Sequence, residues 1–323
     1  MRQVIIRKMR QDEKLVGVIL AAGKGARIKP LNMYAPKPLL PVCNKPIMQY
    51  QIEEMRDLGI KEIFIVIGYL GTRIKKYFGT GRKLGVKIIY VRQKDQLGIA
   101  HAIGQLESYI KTPFLLFLGD IFYISSNLKK MVVLFNKSKK IGAVLAVTKE
   151  EDPQAIKKSF ALILGKNNLV KRVIEKPRYV TNNLKGCGIY LFDLPIFDAI
   201  RNTPRTAMRD EYEITNAIQL LIDYGYPVYS ANVVKWDMNI TFAEDLHYCN
   251  LAQLKSLYQG KSLIAPGAKV NEKAEIVNSV VGEKVFVGKE TRIINSVILD
   301  SSRVRGKKKI ENCLVTPDGI CRI

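Results

Sequence analysis

Beyond residue 260, apolar side chains return every 17 positions. Ile264, Val281, Ile298 and Val315 form one register, Val270, Val287 and Val304 a second, and Ile276, Ile293 and Ile310 a third. The segments VNSVV, INSVI and ENCLV stay in phase with them, and within each turn the spacing runs six, six, five. An ordinary β-meander alternates with period two and has no reason to hold a 17-residue repeat. Short strands stacked coil on coil do hold it, because each apolar residue sits on its equivalent one coil away. The pattern predicts about three coils of parallel β-helix over residues 259–323.

The preceding residues follow a different rule. LVGVILAA (15–22), KEIFIVIGY, VKIIYVRQ and PFLLFLGD are short, apolar and β-branched, as strands buried on both faces are. Between them lie helical patterns. In KPIMQYQIEEMRDLG, Pro46 suits a first turn and Gly59 a C-terminal stop, and GIAHAIGQLESYI (98–110) reads as a second helix. Strands alternating with helices indicate a doubly wound, mostly parallel sheet. Past about residue 140 the alternation loosens into the strands GAVLAVT, FALILG, LVKRVIEKP and CGIYLFD, then the helices EYEITNAIQLLIDYG and TFAEDLHYCNLAQLKSLYQG. Thr241 with Glu244 three residues later suggests a capping box for the last helix. The expected division is an N-terminal extension (1–14), an α/β domain (15–258) and the β-helix (259–323).

Composition removes several function classes. The 52 Lys and Arg against 29 Asp and Glu give a formal charge of +23, which attracts anions. The basic runs KSKK (137–140) and KKK (307–309) are short, far apart and not interleaved with aromatics, so they do not point to specific nucleic-acid binding. No apolar run is long enough for a membrane helix, and MRQVIIRKMRQDEK has no apolar core of a secretory signal. Five cysteines without a CxxC pair read as reduced thiols in a cytoplasm. The two histidines, His101 and His247, have no nucleophile motif beside them and read as structural.

A glycine loop, AAGKGARIKP, follows the first strand. Position 28 is Ile, so the third glycine of G-x-G-x-x-G is missing, and no Gly-Lys-Ser/Thr follows. What remains is Gly23-x-Gly25-x-Arg27, then Pro36-Lys37-Pro38. Glycines let backbone N–H groups approach phosphate oxygens, Arg27 offers a planar fork and Lys37 a mobile charge. The stretch GVILAAGKGARIKPLNMYAPKPLLPVCNKPIMQY resembles the opening of the sugar-1-phosphate nucleotidylyltransferases, or nucleotide-sugar pyrophosphorylases. QKDQLGIAHA, FLGDIFY, IEKP, CGIYLFD, EYEIT and WDMNITFAEDL match later family motifs in order. Ala22, Ala26 and Asn32 depart from the family pattern, as does Phe160-Ala161 where relatives often carry Tyr-Gly.

The resemblance implies a Rossmann-like, mixed and mostly parallel sheet with a short left-handed parallel β-helix behind it. It implies attack of a sugar 1-phosphate on the α-phosphate of a nucleoside triphosphate, UTP or dTTP favoured, with loss of pyrophosphate. Ala21, Ala22, Gly23 and Gly25 would cradle the triphosphate, while Arg27 and Lys37 would do the catalytic work on the departing phosphates and at the α-phosphate. Gln93 and Gly98 would read the base. Glu175, Lys176, Gly188 and Glu213 would hold the sugar phosphate. Asp120 would bind Mg2+ together with Asn239, which stands where most relatives have Asp, with Asp237 in reserve. The tail lacks a histidine base for acyl transfer, so it reads as an oligomerisation or regulatory module of a homo-oligomer. A non-catalytic homologue that binds nucleotide sugars is the alternative reading.

Overall fold

The computed structural model describes residues 14–28, 31–180, 182–207 and 210–323, so the expected extension lies outside the described residues apart from its last position. The chain forms two compact units. One comprises the residues up to Gly23 with Gln51–Asp237, the other Lys24–Tyr50 with Met238–Ile323.

The first unit is built on a nine-stranded sheet. Its strands are β1 (Val16–Ala21), β2 (Glu62–Ile67), β3 (Lys87–Arg92), β4 (Phe114–Leu118), β5 (Ala143–Lys149), β6 (Phe160–Leu164), β7 (Val170–Glu175), β8 (Leu184–Phe192) and β9 (Val228–Asn232). The order is β7-β6-β8-β4-β1-β2-β3, with β5 beside β8 and β9 beside β5. Strands β4, β1, β2 and β3 run parallel, as the strand–helix alternation requires. Around β8 the pairing turns antiparallel, with β4, β5 and β6 as its neighbours. The sheet is therefore mixed. The register of β8 against β5 shifts between Gly186 and Tyr190, and Gly188 within the shift has φ +67°, as a bulge demands. Val18, Ile19, Phe114 and Leu145 are fully buried, which accounts for the continuous apolar runs of these strands.

Three local expectations need correction. Pro46 is not in the first turn of a helix. It closes a two-stranded hairpin, Pro41–Val42 with Lys45–Pro46, and the helix begins at Ile47. The helix expected over 98–110 ends at Gly104, and turns follow it. The last helix, Ala243–Tyr258, is capped by Asp245 and not by Glu244: the Asp245 carboxylate accepts from the N–H groups of Thr241 and Phe242, both at 2.7 Å.

In the second unit the tail coils as its period demands. Ile264 pairs with Val281, Val281 with Ile298 and Ile298 with Val315, and the other two registers pair likewise. The repeated Asn-Ser has a physical cause. Asn278, Asn295 and Asn312 all adopt positive φ, which Asn tolerates better than most residues. The buried hydroxyls of Ser279 and Ser296 each donate to the carbonyl two residues back and accept an N–H from the next coil, at 3.0 and 3.1 Å. The final strand, Gly319–Arg322, folds back antiparallel on Cys313–Thr316, so one edge of the last coil is covered by the chain itself.

Candidate active site

In the first unit, the C-terminal ends of four parallel strands bring several predicted residues together. Ala21 and Ala22 leave β1, Gly68 leaves β2, Gln93 leaves β3, and Gly119 and Asp120 leave β4. Open α/β sheets take ligands at this edge. The strand ends pack closely. A Cβ on Gly68 would lie 2.6 Å from the Ala22 carbonyl oxygen, and one on Gly119 2.6 Å from that of Leu20. Gly23 has open space where a side chain would project, and Gln96 donates to the Ala22 carbonyl at 2.6 Å. Asp120 is half-buried at the same edge.

Gln93 is buried, and its amide nitrogen lies 3.0 Å from His101 Nδ1. The other ring nitrogen, Nε2, lies 3.3 Å from the Gln105 amide nitrogen, so His101 sits between two glutamine amides. His101 in turn stacks on Tyr212, with ring centroids 6.2 Å apart. Gly98 has φ +106°, and a Cβ there would meet the Tyr212 backbone at 2.6 Å. The glycine thus lets residues 97–100 dock on Tyr212, whose N–H bonds the Leu97 carbonyl and whose carbonyl accepts from Ala100. The partnership of His101 with Gln93 was not visible in the sequence. A His eight residues beyond Gln93 carries no periodic signal.

The expected sugar-phosphate residues flank β8. Glu175 ends β7 and lies 3.4 Å from the Thr215 hydroxyl. Buried Glu213 caps the Ile214–Asp223 helix by position. Both carboxylates act on Tyr190: burial first, then Glu175, Cys187 and Glu213, push its hydroxyl well above the usual tyrosine range. Lys176 is exposed with φ +41°, held by its N–H bond to the Ser159 carbonyl at 2.8 Å. Such backbone strain costs about 1 kcal/mol and clusters at functional sites. Gly188 packs where a Cβ would strike Ile121 at 2.5 Å.

Asp237 is not a free carboxylate. The buried Lys185 ammonium lies 3.1 Å from it and 3.1 Å from Glu150. Burial disfavours that charge, but the attraction of Asp237 and Glu150 outweighs it, and the Lys185 pKa is raised. A ligand already paired with an ammonium is poorly placed to receive a second cation. This three-residue cluster also escaped the sequence, since its members lie 35 and 52 positions apart.

In the second unit, Gly25 and Lys37 are neighbours. Gly25 has φ +61°, and a Cβ would meet Lys37 Cγ at 3.2 Å and Cε at 3.4 Å, so the lysine stem lies against the bare glycine. Pro36 opens the short 3-10 turn Lys37–Leu39, and Lys37 is 9% exposed. Arg27 is exposed on the 3-10 turn Ala26–Ile28. Asn239, also exposed, ends the strand Val234–Asn239. Among the described residues no group of three or more His, Cys, Asp and Glu could hold a metal. The Asp120 carboxylate is a hard oxygen donor of the kind Mg2+ takes.

Comparison with known proteins identifies the family. The Nucleotidyl transferase family model matches residues 16–259, and the GlmU-like C-terminal hexapeptide model matches residues 252–322. The chain is 29% identical to the glucose-1-phosphate thymidylyltransferase of Streptomyces antibioticus, covering 92% of this chain and 91% of the relative. It is 33% identical to the UTP–glucose-1-phosphate uridylyltransferase AglF of Haloferax volcanii, covering 71% of this chain and 92% of that one. A crystal structure of UDP-glucose pyrophosphorylase complexed with UDP-glucose superposes with a TM-score of 0.66 at 25% identity, covering 75% of this chain and 99% of that one. By the span of the family match and by these relatives, the chain belongs to the nucleotidyl transferase family.

Proposed function

We propose that this protein joins UTP or dTTP to a sugar 1-phosphate, releasing pyrophosphate. The observation that carries the reading is the strand-end edge of the first unit, along which glycine-lined backbone, buried Gln93 and the Asp120 carboxylate are set out. The names of the two relatives make glucose 1-phosphate the first acceptor to test.

The reaction forms a bond from a sugar-phosphate oxygen to the α-phosphorus and breaks the bond to the β-phosphate, whose electrons leave with pyrophosphate. The attacking phosphate is already ionised near neutral pH, so no general base is required. The difficulty is repulsion: two unit charges about 4 Å apart cost roughly 4 kcal/mol at an effective dielectric near 20, and phosphates carry more than one charge each. Arg27 is assigned to the departing phosphates, Lys37 to the α-phosphate and Lys176 to the sugar phosphate. Gln93, fixed by His101, can donate to and accept from the O and N–H edge of uracil or thymine. Glu175 and Glu213 accept from sugar hydroxyls, and the Gly188 backbone is assigned to the same sugar site. Asp120 and Asn239 would hold Mg2+, which when bound neutralises phosphate charge. The pairing of Asp237 with Lys185 favours Asn239 over Asp237 in that role.

The test is a matrix of nucleoside triphosphates against sugar 1-phosphates with Mg2+, read as released pyrophosphate. Turnover with UTP or dTTP is expected, and at least tenfold less with ATP or GTP. No release with any pair would leave the non-catalytic, nucleotide-sugar-binding reading in its place.

The tail is assigned to self-association. The strand Leu263–Ile264 is the edge of its sheet and Ile264 is 44% exposed, an open edge that a second copy can cover. Light scattering on the intact chain is expected to give a dimer or larger species, and a monomer at micromolar concentration would remove this role. Five free cysteines, four of them buried, favour a reducing, cytoplasmic setting.

A further inference from the structure

The segment bearing Arg27 and Lys37 groups with the β-helix, and the bonds responsible can be named. The hairpin after Lys37 turns at Cys43 and Asn44, with φ +48° and +61°. Positive φ at both central residues is the pattern of a type I′ turn, which Gly and Asn adopt readily and Cys does not. Two strands of two residues, each containing a proline that donates nothing, cannot hold such a turn alone. The partners come from elsewhere in the unit.

Asn250, fully buried on the Ala243–Tyr258 helix, divides its amide between this hairpin and its own helix. Its Oδ1 accepts the Cys43 N–H at 2.8 Å, and its Nδ2 donates to the Pro41 carbonyl at 3.0 Å and to the Leu246 carbonyl at 2.9 Å. The Cys43 thiol, which burial pushes up to about 12 and so keeps protonated, donates to the Asn250 carbonyl at 3.6 Å. Next to it, Asn44 Nδ2 donates at 3.0 Å to the carbonyl of Val281, in the second coil. That carbonyl already accepts the Ala265 N–H of the preceding coil, so Asn44 takes its second lone pair. On the other side of Lys37, the hydroxyl of Tyr34 meets Asp300 of the third coil. The helix is itself fastened to the tail, with His247 Nε2 2.6 Å from the Asn295 carbonyl. Lys37 is thus bracketed at three positions before it and four to seven after it.

We infer that the β-helix is a positioning element for the cation-bearing segment, with Asn250 and the Val281 carbonyl holding the 41–46 hairpin and through it Lys37. This rests on the reading that Lys37 neutralises the α-phosphate. Neither Asn250 nor Asn44 touches substrate in that reading. They act by restricting where the ammonium can go, so their loss falls on turnover more than on binding.

Two variants test it at a single position. Asn44→Gly keeps the positive φ and removes the amide, whereas Asn44→Asp keeps the shape and sets a carboxylate oxygen against the Val281 carbonyl. Asn250→Ala is the harsher change and leaves buried groups unpaired, so the Asn44 pair carries the decision. Hydrogen–deuterium exchange over residues 37–46 is expected to quicken at least tenfold in both variants, Asn44→Asp the more, with exchange in the β1–β4 strands unchanged. With the wild type's preferred substrates, kcat should fall fivefold to twentyfold while KM for the triphosphate moves less than twofold. Unchanged exchange, or faster exchange with unchanged kcat, overturns the inference. Should the wild type release no pyrophosphate from any pair, the functional reading fails on its own, and exchange alone decides whether the tail holds the hairpin.

Discussion

Lys37→Met is expected to lower kcat for pyrophosphate release by about 10²–10³, with the fold unaltered. The figure follows from removing one preorganised cation from developing phosphate charge, which typically costs about 3–4 kcal/mol of barrier. Met is chosen because the Lys37 stem is buried and lies 3.2 Å from the site of a Gly25 Cβ. A methionine fills that channel without a charge, whereas alanine would add a cavity and blur the cause. Lys37→Arg retains charge but sends a broad planar fork past Gly25, so it should recover only part of the loss. Thermal unfolding of the Met variant should match the wild type within a few degrees. If Lys37→Met keeps more than a tenth of wild-type kcat, this residue is not the cation at the α-phosphate, and Arg27 becomes the candidate.

The periodic features of this protein were legible in its sequence. Three registers of the β-helix pair as their 17-residue spacing requires, because each stacked position repeats the same chemical demand. The parallel strands were legible for a related reason: burial on both faces leaves continuous apolar runs. Polar partnerships follow no period. Nothing near Lys185 announces Glu150 and Asp237, and nothing near Cys43 announces Asn250, 207 positions away. For the same reason the grouping of Lys24–Tyr50 with the tail was hidden. Pro46 misled because a proline after a turn suits a helix start and a hairpin strand alike, and only the positive φ of Cys43 and Asn44 separates them. Of the candidate site, residue types were readable from the motifs, whereas what orients them, such as His101 behind Gln93, was not.

Gly186→Ala is expected to destabilise the first unit by about 3 kcal/mol, the upper range for inserting a methyl into a packed core. The space beside Gly186 is taken: its Cβ would lie 1.9 Å from Phe160 Cζ and 2.1 Å from Cε1. Phe160 is 4% exposed and stacks on Tyr190 at 6.0 Å between centroids, and Tyr190 stacks on Phe192 at 5.4 Å, so the ring has no free side to move toward. The ring at 160 and the glycine at 186 are therefore one packing feature. The phenyl ring occupies what would be the side-chain volume of the facing strand. Ala161 is itself buried, in the ladder between Ile174 and Lys185. The double variant Gly186→Ala/Phe160→Leu supplies the check, because removing the ring opens the room that the methyl needs. Chemical unfolding should show the pair about 1–3 kcal/mol more stable than the two single changes summed. Additive losses would mean that the ring and the glycine are independent. In that case Gly186 is required for the β8 bulge alone.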